Sequence, residues 1–183
     1  MSELDLLLER YRRLVQLTWP AEVSGAERVW FVIYSPTQER RLRLRITDFE
    51  VATRQAGQGW TEVDLTDSFA HWMAMHEYHD DYFAEPEYVE TVLPEFAQAI
   101  THHVQNALAA ADTKTVVALH GLSALFGMAS VSELVNAVSK SIRGRLLVFF
   151  PGEKEGSNYR FLDARDGWNY LSIAITAKDG GSL

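Results

Sequence analysis

The chain has 183 residues, of which 47% are hydrophobic and 23% are charged, and it contains no cysteine. This composition is typical of one folded domain with a sizeable core, and it excludes a disordered chain, disulfides and thiolate metal sites. With 25 acidic and 17 basic side chains, the net charge of −8 opposes binding to nucleic acid or to an anionic membrane, although a local basic patch remains compatible with it.

No targeting segment is predicted. The N-terminal residues are acidic and amphipathic, and they lack the basic and then apolar pattern of a secretion signal. No apolar run approaches the roughly 18 residues of a membrane helix. We therefore expect a cytoplasmic protein that does not associate with a membrane.

The first predicted element is an amphipathic helix over residues 2–19. Apolar side chains recur along one face, Ser2 is suited to cap its start, and Pro20 ends it. The pattern favours a helix that packs against a sheet over a helix that docks to a partner protein.

A strand over residues 28–34 is followed by a helix with an arginine-rich face. Ser35-Pro36 is typical of a helix start, and the apolar stripe continues to the glycines near residue 57. The helix start lies at the carboxyl end of a strand, where open α/β sheets bind ligands, so Arg40 and Arg41 are candidate contacts for an anion. The alternative, which the pattern favours, is a solvated arginine face offset by neighbouring acidic residues.

A short strand over residues 60–65 leads into a stretch, residues 70–82, that combines metal-binding side chains. His76, His79, Asp80 and Asp81 carry the nitrogen and oxygen donors that zinc accepts. Their spacing differs from that of a zinc hydrolase helix, and solvated helix ends are the favoured explanation.

The same stretch is rich in methionine and aromatic residues. These side chains are either part of the core or a contact surface for another protein, and the sequence favours the core. The residues concerned are Trp72, Met73, Met75, Tyr78, Tyr82 and Phe83. A break at Pro86 follows, and then a long helix that runs to Ala111 and is started or interrupted at Pro94.

Residues 115–152 match the pattern strand, turn, helix, strand and form the predicted centre of the fold. The strands, residues 115–119 and 145–150, are apolar throughout, which is typical of strands covered on both faces. A helical stripe between them predicts a right-handed βαβ unit. We expect a single three-layer α/β domain over residues 1–183. Its sheet should be mostly parallel, with about 4–6 strands, in a Rossmann-like or P-loop-like topology without the phosphate-binding loop.

The C-terminal part of the chain predicts further strands. One covers residues 159–162, Asp166-Gly167 indicates a turn, and a second strand covers residues 168–175. Residues 177–183 are expected to form a frayed tail.

The motifs of common enzyme classes are missing. The sequence has no GxxxxGK[ST] phosphate loop, no GxGxxG fingerprint and no GxSxG elbow. His120 and Ser123 are close in sequence, but the HGLS stretch lacks a second glycine and an evident acid, which favours a tight turn over a nucleophile–base pair. Asp64, at a strand end, is a candidate acid, base or metal ligand, or a brace for the following loop.

On these grounds the chain looks like an α/β fold that lacks the usual catalytic apparatus. One function that remains open is a nucleotide- or anion-binding enzyme whose site at the carboxyl edge of the sheet includes Ser35, Arg40, His120 and Gly152.

Several short motifs follow one another along the chain. They are the strand ending at Tyr34 with Pro36 and Glu39 after it, VDL at 63–65, the strand closing on His120-Gly121, ELVN at 133–136, LLVFFPG at 146–152, RFLD at 160–163 and GWNYLSIAI at 167–175. In this order the motifs resemble the BrxB family, a small component of BREX bacteriophage-defence systems. The chain departs from that family at Gly127 and Ser130, where the family often has Pro and Arg. It also departs at residues 169–172, where the family often has paired tyrosines and an arginine.

The resemblance implies a non-enzymatic α/β protein within a multi-protein defence complex. Its implied partner is the large alkaline-phosphatase-like PglZ protein, with a methyltransferase and ATPases nearby. We expect no cofactor, no metal and no direct binding to DNA. The residues at which we expect contacts with a partner or an anion are Tyr34, Arg40, Arg41, His120, Gly152 and Arg160.

Overall fold

The structure is a computed structural model that describes residues 1–162 and 167–178. The helices in this part are α1 (Glu3–Val15), α2 (Glu39–Arg43), α3 (Ile46–Gln55), α4 (Ser68–Ala74), α5 (His79–Ala84), α6 (Leu93–Ala110) and α7 (Val131–Val138). The strands are β1 (Val29–Tyr34), β2 (Gly59–Asp64), β3 (Thr115–His120), β4 (Arg145–Glu155), β5 (Asn158–Phe161), β6 (Trp168–Asn169) and β7 (Ile173–Ile175). The predicted turn residue Asp166, and residues 179–183 of the predicted tail, lie outside the described residues.

Five strands form the parallel centre of the sheet, in the order β2-β3-β4-β1-β7. The far end of β4 pairs antiparallel with β5, which in turn pairs antiparallel with β6. The α/β class is therefore confirmed. Across the described residues, however, the sheet is mixed and has seven strands instead of four to six. The parallel order also differs from the Rossmann order β3-β2-β1-β4-β5-β6.

The sheet is mixed because β4 does not end at Phe150, as predicted, but runs on to Glu155 and pairs there antiparallel with β5. Pro151 is its last parallel partner of β1, and Gly152 is the first residue of an antiparallel hairpin, opposite Phe161. A side chain at Gly152 would bring its Cβ to 2.1 Å from the carbonyl oxygen of Arg160. The Pro-Gly pair thus marks a change of partner strand, and glycine is needed there for the close approach.

Two hydrophobic cores cover opposite faces of the sheet. On one face α1, α2 and α3 pack against residues such as Trp30 and Phe149. On the other face α6, α7 and the β4–β5 hairpin pack around Phe31 and Phe150. Because successive strand residues point to opposite faces, β1 and residues 146–150 of β4 need apolar residues at every position. This requirement accounts for the continuous apolar runs in the sequence.

The central βαβ unit is confirmed, since β3 and β4 pair in parallel and α7 connects them. The first helix packs in the core, as favoured, but it ends at Val15. Trp19 packs edge to face against Trp30, with ring centroids 5.6 Å apart, so the chain leaves the helical path before Pro20.

Two other predicted elements are divided in the structure. The arginine-rich helix consists of a 3₁₀ turn at Pro36–Gln38, then α2 and then α3. At the break, Arg45 bridges to Asp5 at 2.5 Å and to Asp48 at 2.9 Å. The last predicted strand is divided into β6 and β7 because the two pieces pair with different strands, β5 and β1.

Candidate functional site

The carboxyl ends of the parallel strands bring several predicted residues to one edge of the sheet. Tyr34 lies opposite Pro151, and Asp64 lies opposite His120. After β1 the chain continues into helices on one face of the sheet, whereas after β4 it continues into a hairpin on the other. The crevice between neighbouring strands that diverge in this way is where α/β sheets bind ligands.

A buried tyrosine and a glutamate occupy this crevice. The hydroxyl of Tyr34 donates a hydrogen bond to Glu39 Oε2, and Ser123 Oγ donates to the same oxygen at 3.1 Å. Arg43 Nε is paired with Glu39 Oε1 at 3.2 Å. Burial, and then the hydrogen bond to the Glu39 carboxylate, raises the pKa of Tyr34, so this phenol stays protonated. The group is a closed polar network in which each member already has a partner.

His120 lies at the neighbouring strand end and is held by carboxylates on both ring nitrogens. Its Nε2 is 2.7 Å from Glu62 Oε1, and its Nδ1 is 3.5 Å from Asp64 Oδ1. Asp64 also accepts hydrogen bonds from the backbone N–H and the hydroxyl of Thr66. Partial burial acts to raise the pKa of Asp64. The hydrogen bonds from Thr66 and the positive charges of the nearby His120 and Arg43 outweigh it and keep this pKa below its usual range.

The turn after His120 has the structural role that the sequence favoured. Gly121 has a φ of +77°, and the chain passes from it into the 3₁₀ segment Leu122–Leu125. A Cβ at Gly121 would lie 2.6 Å from the backbone nitrogen of Thr66 and 2.7 Å from Asp64 Oδ1. Ser123 is bonded to Glu39, and His120 is bonded to Glu62. These partners do not form the nucleophile–base pair that was considered for the HGLS stretch.

The electrostatics of this edge are unsuited to an anion. Three carboxylates line it, those of Glu39, Glu62 and Asp64, and each repels a second negative charge. The backbone N–H of Ser35, which begins the turn after β1, already donates to Glu3 Oε1 at 2.8 Å. An anion at this position would have to displace a carboxylate of the protein itself.

The arginines of α2 and α3 mostly pair with neighbouring carboxylates, in agreement with the favoured explanation of a solvated face. Arg43 pairs with Glu39, Arg45 with Asp48, and Arg54 with Glu50. Arg40 and Arg41 are exposed on α2.

Gly152 and Arg160 lie in the β4–β5 hairpin and not in the crevice. The guanidinium of Arg160 is 3.9 Å from Glu155, and its Nε is buried without a hydrogen-bond acceptor within the described residues. The six predicted contact residues therefore do not form one site. Tyr34 and His120 lie on the sheet edge, Arg40 and Arg41 on an exposed helix, and Gly152 and Arg160 in a hairpin.

The histidine-rich stretch shows no metal geometry. His79 Nδ1 lies 2.9 Å from the carbonyl oxygen of His76, and His76 Nε2 lies 3.7 Å from Glu95. In the described part of the chain, no group of three or more His, Cys, Asp or Glu side chains is arranged to hold a metal ion.

The methionine and aromatic residues of this stretch divide between the two roles that the sequence left open. Met73 is buried, and Trp72 packs against Phe96 with ring centroids 5.5 Å apart. Three others, Met75, Tyr78 and Phe83, project into solvent on α5 or at the ends of α4 and α5, and Tyr82 is partly buried. Tyr88, in the 3₁₀ segment Pro86–Val92, was not among the predicted residues but is also exposed. We call Met75, Tyr78, Phe83 and Tyr88 the aromatic surface. Met75 is 87% exposed and Phe83 is 69% exposed.

The sequence carries a weak signal for this exposure. Residues 75–88 place large apolar side chains among acidic residues, a composition that is unusual for a core segment.

None of the helices in residues 1–162 and 167–178 combines the length and apolarity that spanning a membrane requires. A comparison with protein-family models finds no match to this chain, and comparisons with curated proteins and with solved structures find none either. The resemblance to BrxB rests on the sequence motifs alone.

Proposed function

We propose that this chain is a non-catalytic interaction subunit of a bacterial anti-phage defence complex of the BREX type. Its proposed partner is the PglZ-like protein of the same system. The observation that carries the proposal is the aromatic surface, a concentration of exposed methionine and aromatic side chains within residues 75–88. Protein interfaces are enriched in these residue types, and large exposed apolar patches mark contact sites.

The charges around the aromatic surface indicate which charge the partner's contact surface should carry. Exposed acidic residues are interspersed with the apolar ones, namely Glu77, Asp80, Asp81, Glu85, Glu87 and Glu90. A rim of this kind favours a basic partner surface and disfavours nucleic acid. The proposed interface is thus an apolar centre of methionine and aromatic rings within an acidic rim.

The sheet edge supports a structural role more than a catalytic one. Tyr34, Glu39 and Ser123 bond to one another, and His120 is held between carboxylates. The alternative function, a nucleotide- or anion-binding enzyme at this edge, would need cationic or backbone donors that are free. We therefore do not favour it, and we propose that BrxB-like motifs such as the strand ending at Tyr34 maintain the scaffold.

We further propose a P-loop-like topology for the parallel sheet. The support is the position of β1 inside the sheet, between β4 and β7, followed at once by a turn and α2. In folds of that kind the phosphate loop connects the first strand to a helix. This chain has Ser35–Gln38 at that place and no phosphate-loop sequence.

Co-expression with a PglZ-like protein tests the interaction. The wild-type chain should co-purify with the partner, and Met75→Ser combined with Phe83→Ser should abolish co-purification, since both changes remove exposed apolar contacts. Leu44→Ser is the matched control, because Leu44 is 85% exposed but lies on the arginine-rich segment. Separation of the wild-type proteins at low micromolar concentration would refute the proposed partner protein. Co-purification of the double variant would refute the aromatic surface as the contact site.

A further inference from the structure

The opposite, amino edge of the sheet holds a buried cation between two tryptophans. Arg145 is the first residue of β4 and is only 5% exposed. Its guanidinium carbon lies 5.0 Å from the ring centroid of Trp19 and 5.7 Å from that of Trp30. Aromatic faces attract a cation, and this attraction fixes the position of the guanidinium.

No carboxylate of residues 1–162 or 167–178 neutralises this cation. In the described part of the chain, the guanidinium of Arg145 donates only to carbonyl oxygens, to Gly144 at 2.9 Å and to Pro20 at 3.3 Å, and it forms no ion pair. A guanidinium has five N–H donors and stays protonated in proteins, so donors remain and the charge persists. Burial, and then the positive charge of Arg28, lowers the pKa of Arg145, which reflects the cost of an unpaired buried charge.

Arg145 lies on the wall between two cavities. The larger, of about 850 Å³, is walled mainly by apolar and aromatic side chains, including Trp19, Trp30 and Tyr170. The smaller, of about 490 Å³, is lined by Arg145 and three further basic residues, Arg28, Lys114 and Arg143, and by no acidic one. An anion in this region therefore meets positive potential on one side and an apolar wall on the other, although the protein as a whole is acidic.

Two side chains that line the larger cavity carry unused hydrogen-bond donors. The indole Nε1 atoms of Trp19 and Trp30 are buried without a protein partner among the described residues. Buried donors of this kind are rare in folded proteins and call for an acceptor. The one acidic residue of this cavity, Glu27, already accepts from the backbone N–H of Ser24 at 2.8 Å.

We propose that the cavity binds a small anion that carries an apolar body, such as a medium-chain or aromatic carboxylate or monophosphate. Arg145 receives the anionic group, the indole N–H groups offer further donors, and the aromatic walls cover the body. The volume lies within the range of small-molecule sites, which are mostly apolar with a few convergent polar groups. This inference is independent of the proposed interaction function, because it uses a different edge of the molecule.

Titration of the 15N-labelled protein tests the proposal, since indole N–H resonances of the five tryptophans report directly on Trp19 and Trp30. Decanoate and phenyl phosphate serve as probes. Decanol matches decanoate without its charge, and inorganic phosphate matches phenyl phosphate without its apolar body. We expect at least one of the two probes to shift both indole resonances and to saturate. Decanol and inorganic phosphate should bind about tenfold more weakly or worse.

Variants separate a ligand site from a purely structural arginine. Arg145→Met keeps the length of the side chain and should weaken binding of the active probe about tenfold or more, whereas Arg41→Met, an exposed arginine elsewhere, should leave it unchanged. If Arg145→Met does not fold, the proposal is tested on the wild-type protein alone. The test is then the comparison of decanoate with decanol and of phenyl phosphate with inorganic phosphate. Absence of any indole shift at millimolar probe, equal binding of the uncharged analogue, or full binding to folded Arg145→Met would overturn the proposal.

Discussion

At the scale of single residues, Gly121 shows most clearly that the structure of the sheet edge requires a residue without a side chain. The residue combines a left-handed backbone with contact to Thr66 and Asp64, so that a Cβ has no room. Gly127 has nearly the same φ, +76°, but a Cβ there meets nothing within 4 Å. A comparison of the two positions therefore separates the cost of a left-handed backbone, which both share, from the cost of a steric clash, which only Gly121 has.

Gly121→Ala should destabilise the protein more than Gly127→Ala. Both variants incur the cost of a left-handed alanine, about 1–2 kcal/mol, but only the first must also displace the backbone of Thr66. The measurement is the free energy of unfolding in urea for the two variants and the wild type. Equal losses would show that the contact between Gly121 and Thr66 is not close in solution.

Asp5 provides a pH dependence that can be assigned to one residue. The side-chain hydrogen bond from Ser2, and then that from Arg45, keeps the pKa of Asp5 well below its usual range. A carboxyl group with a lowered folded-state pKa stabilises the protein above its unfolded pKa, about 3.9, and this contribution is lost as the pH falls through the folded value.

Asp5→Asn should accordingly be destabilising at pH 7, and its difference from the wild type should shrink as the pH falls below about 4. Urea unfolding at a series of pH values gives this difference. Glu22→Gln is the control, since Glu22 is exposed and forms no hydrogen bond or ion pair within the described residues. A difference for Asp5→Asn that stays constant with pH would contradict the assignment.

At the scale of elements, α1 illustrates a choice that the sequence left open and the structure decides. The apolar face of α1 packs on the sheet, and Leu7 at its centre is fully buried. Tyr11 on the same face has its hydroxyl 2.5 Å from Thr53 Oγ1 of α3. The helix is therefore part of the core and leaves no apolar face for docking.

Leu7→Ala should lower the free energy of unfolding by about 2–5 kcal/mol, because it removes buried contacts and leaves a cavity. Leu44→Ala changes the same residue type at an exposed position and should stay within about 0.5 kcal/mol of the wild type. Thermal or urea unfolding of both variants checks the pair. A loss below about 1 kcal/mol for Leu7→Ala would indicate that α1 is only loosely attached.

The elements that the sequence predicted correctly are those whose pattern is local. The apolar runs of β1, β3 and β4 and the helical stripe of α7 depend only on neighbouring positions. The β4–β5 hairpin was not predicted, because Pro151-Gly152 is a local stop signal, and pairing with β5, which begins at Asn158, overrides it. The break at Arg45 was missed because its partner Asp5 is 40 positions away.

At the scale of the whole molecule, acidic and basic side chains are separated in space. Carboxylates line the carboxyl edge of the sheet, and four basic side chains line the smaller cavity at its amino edge. The sequence left an anion site at the first of these edges open as the less favoured alternative, because fold rules place ligands there. It could not show that Glu39 meets Glu62 and Asp64 at that edge, since Glu39 lies in α2 whereas the other two lie in β2.

The aromatic surface is the feature on which the proposed function depends, and hydrogen exchange in the complex tests it most directly. Amide exchange should be measured for this chain alone and with a co-purified PglZ-like protein. The proposal predicts new protection confined to residues 75–92, with the exchange of β1, β3 and β4 unchanged. Protection centred on another part of the chain, or no change on mixing the two proteins, would contradict it.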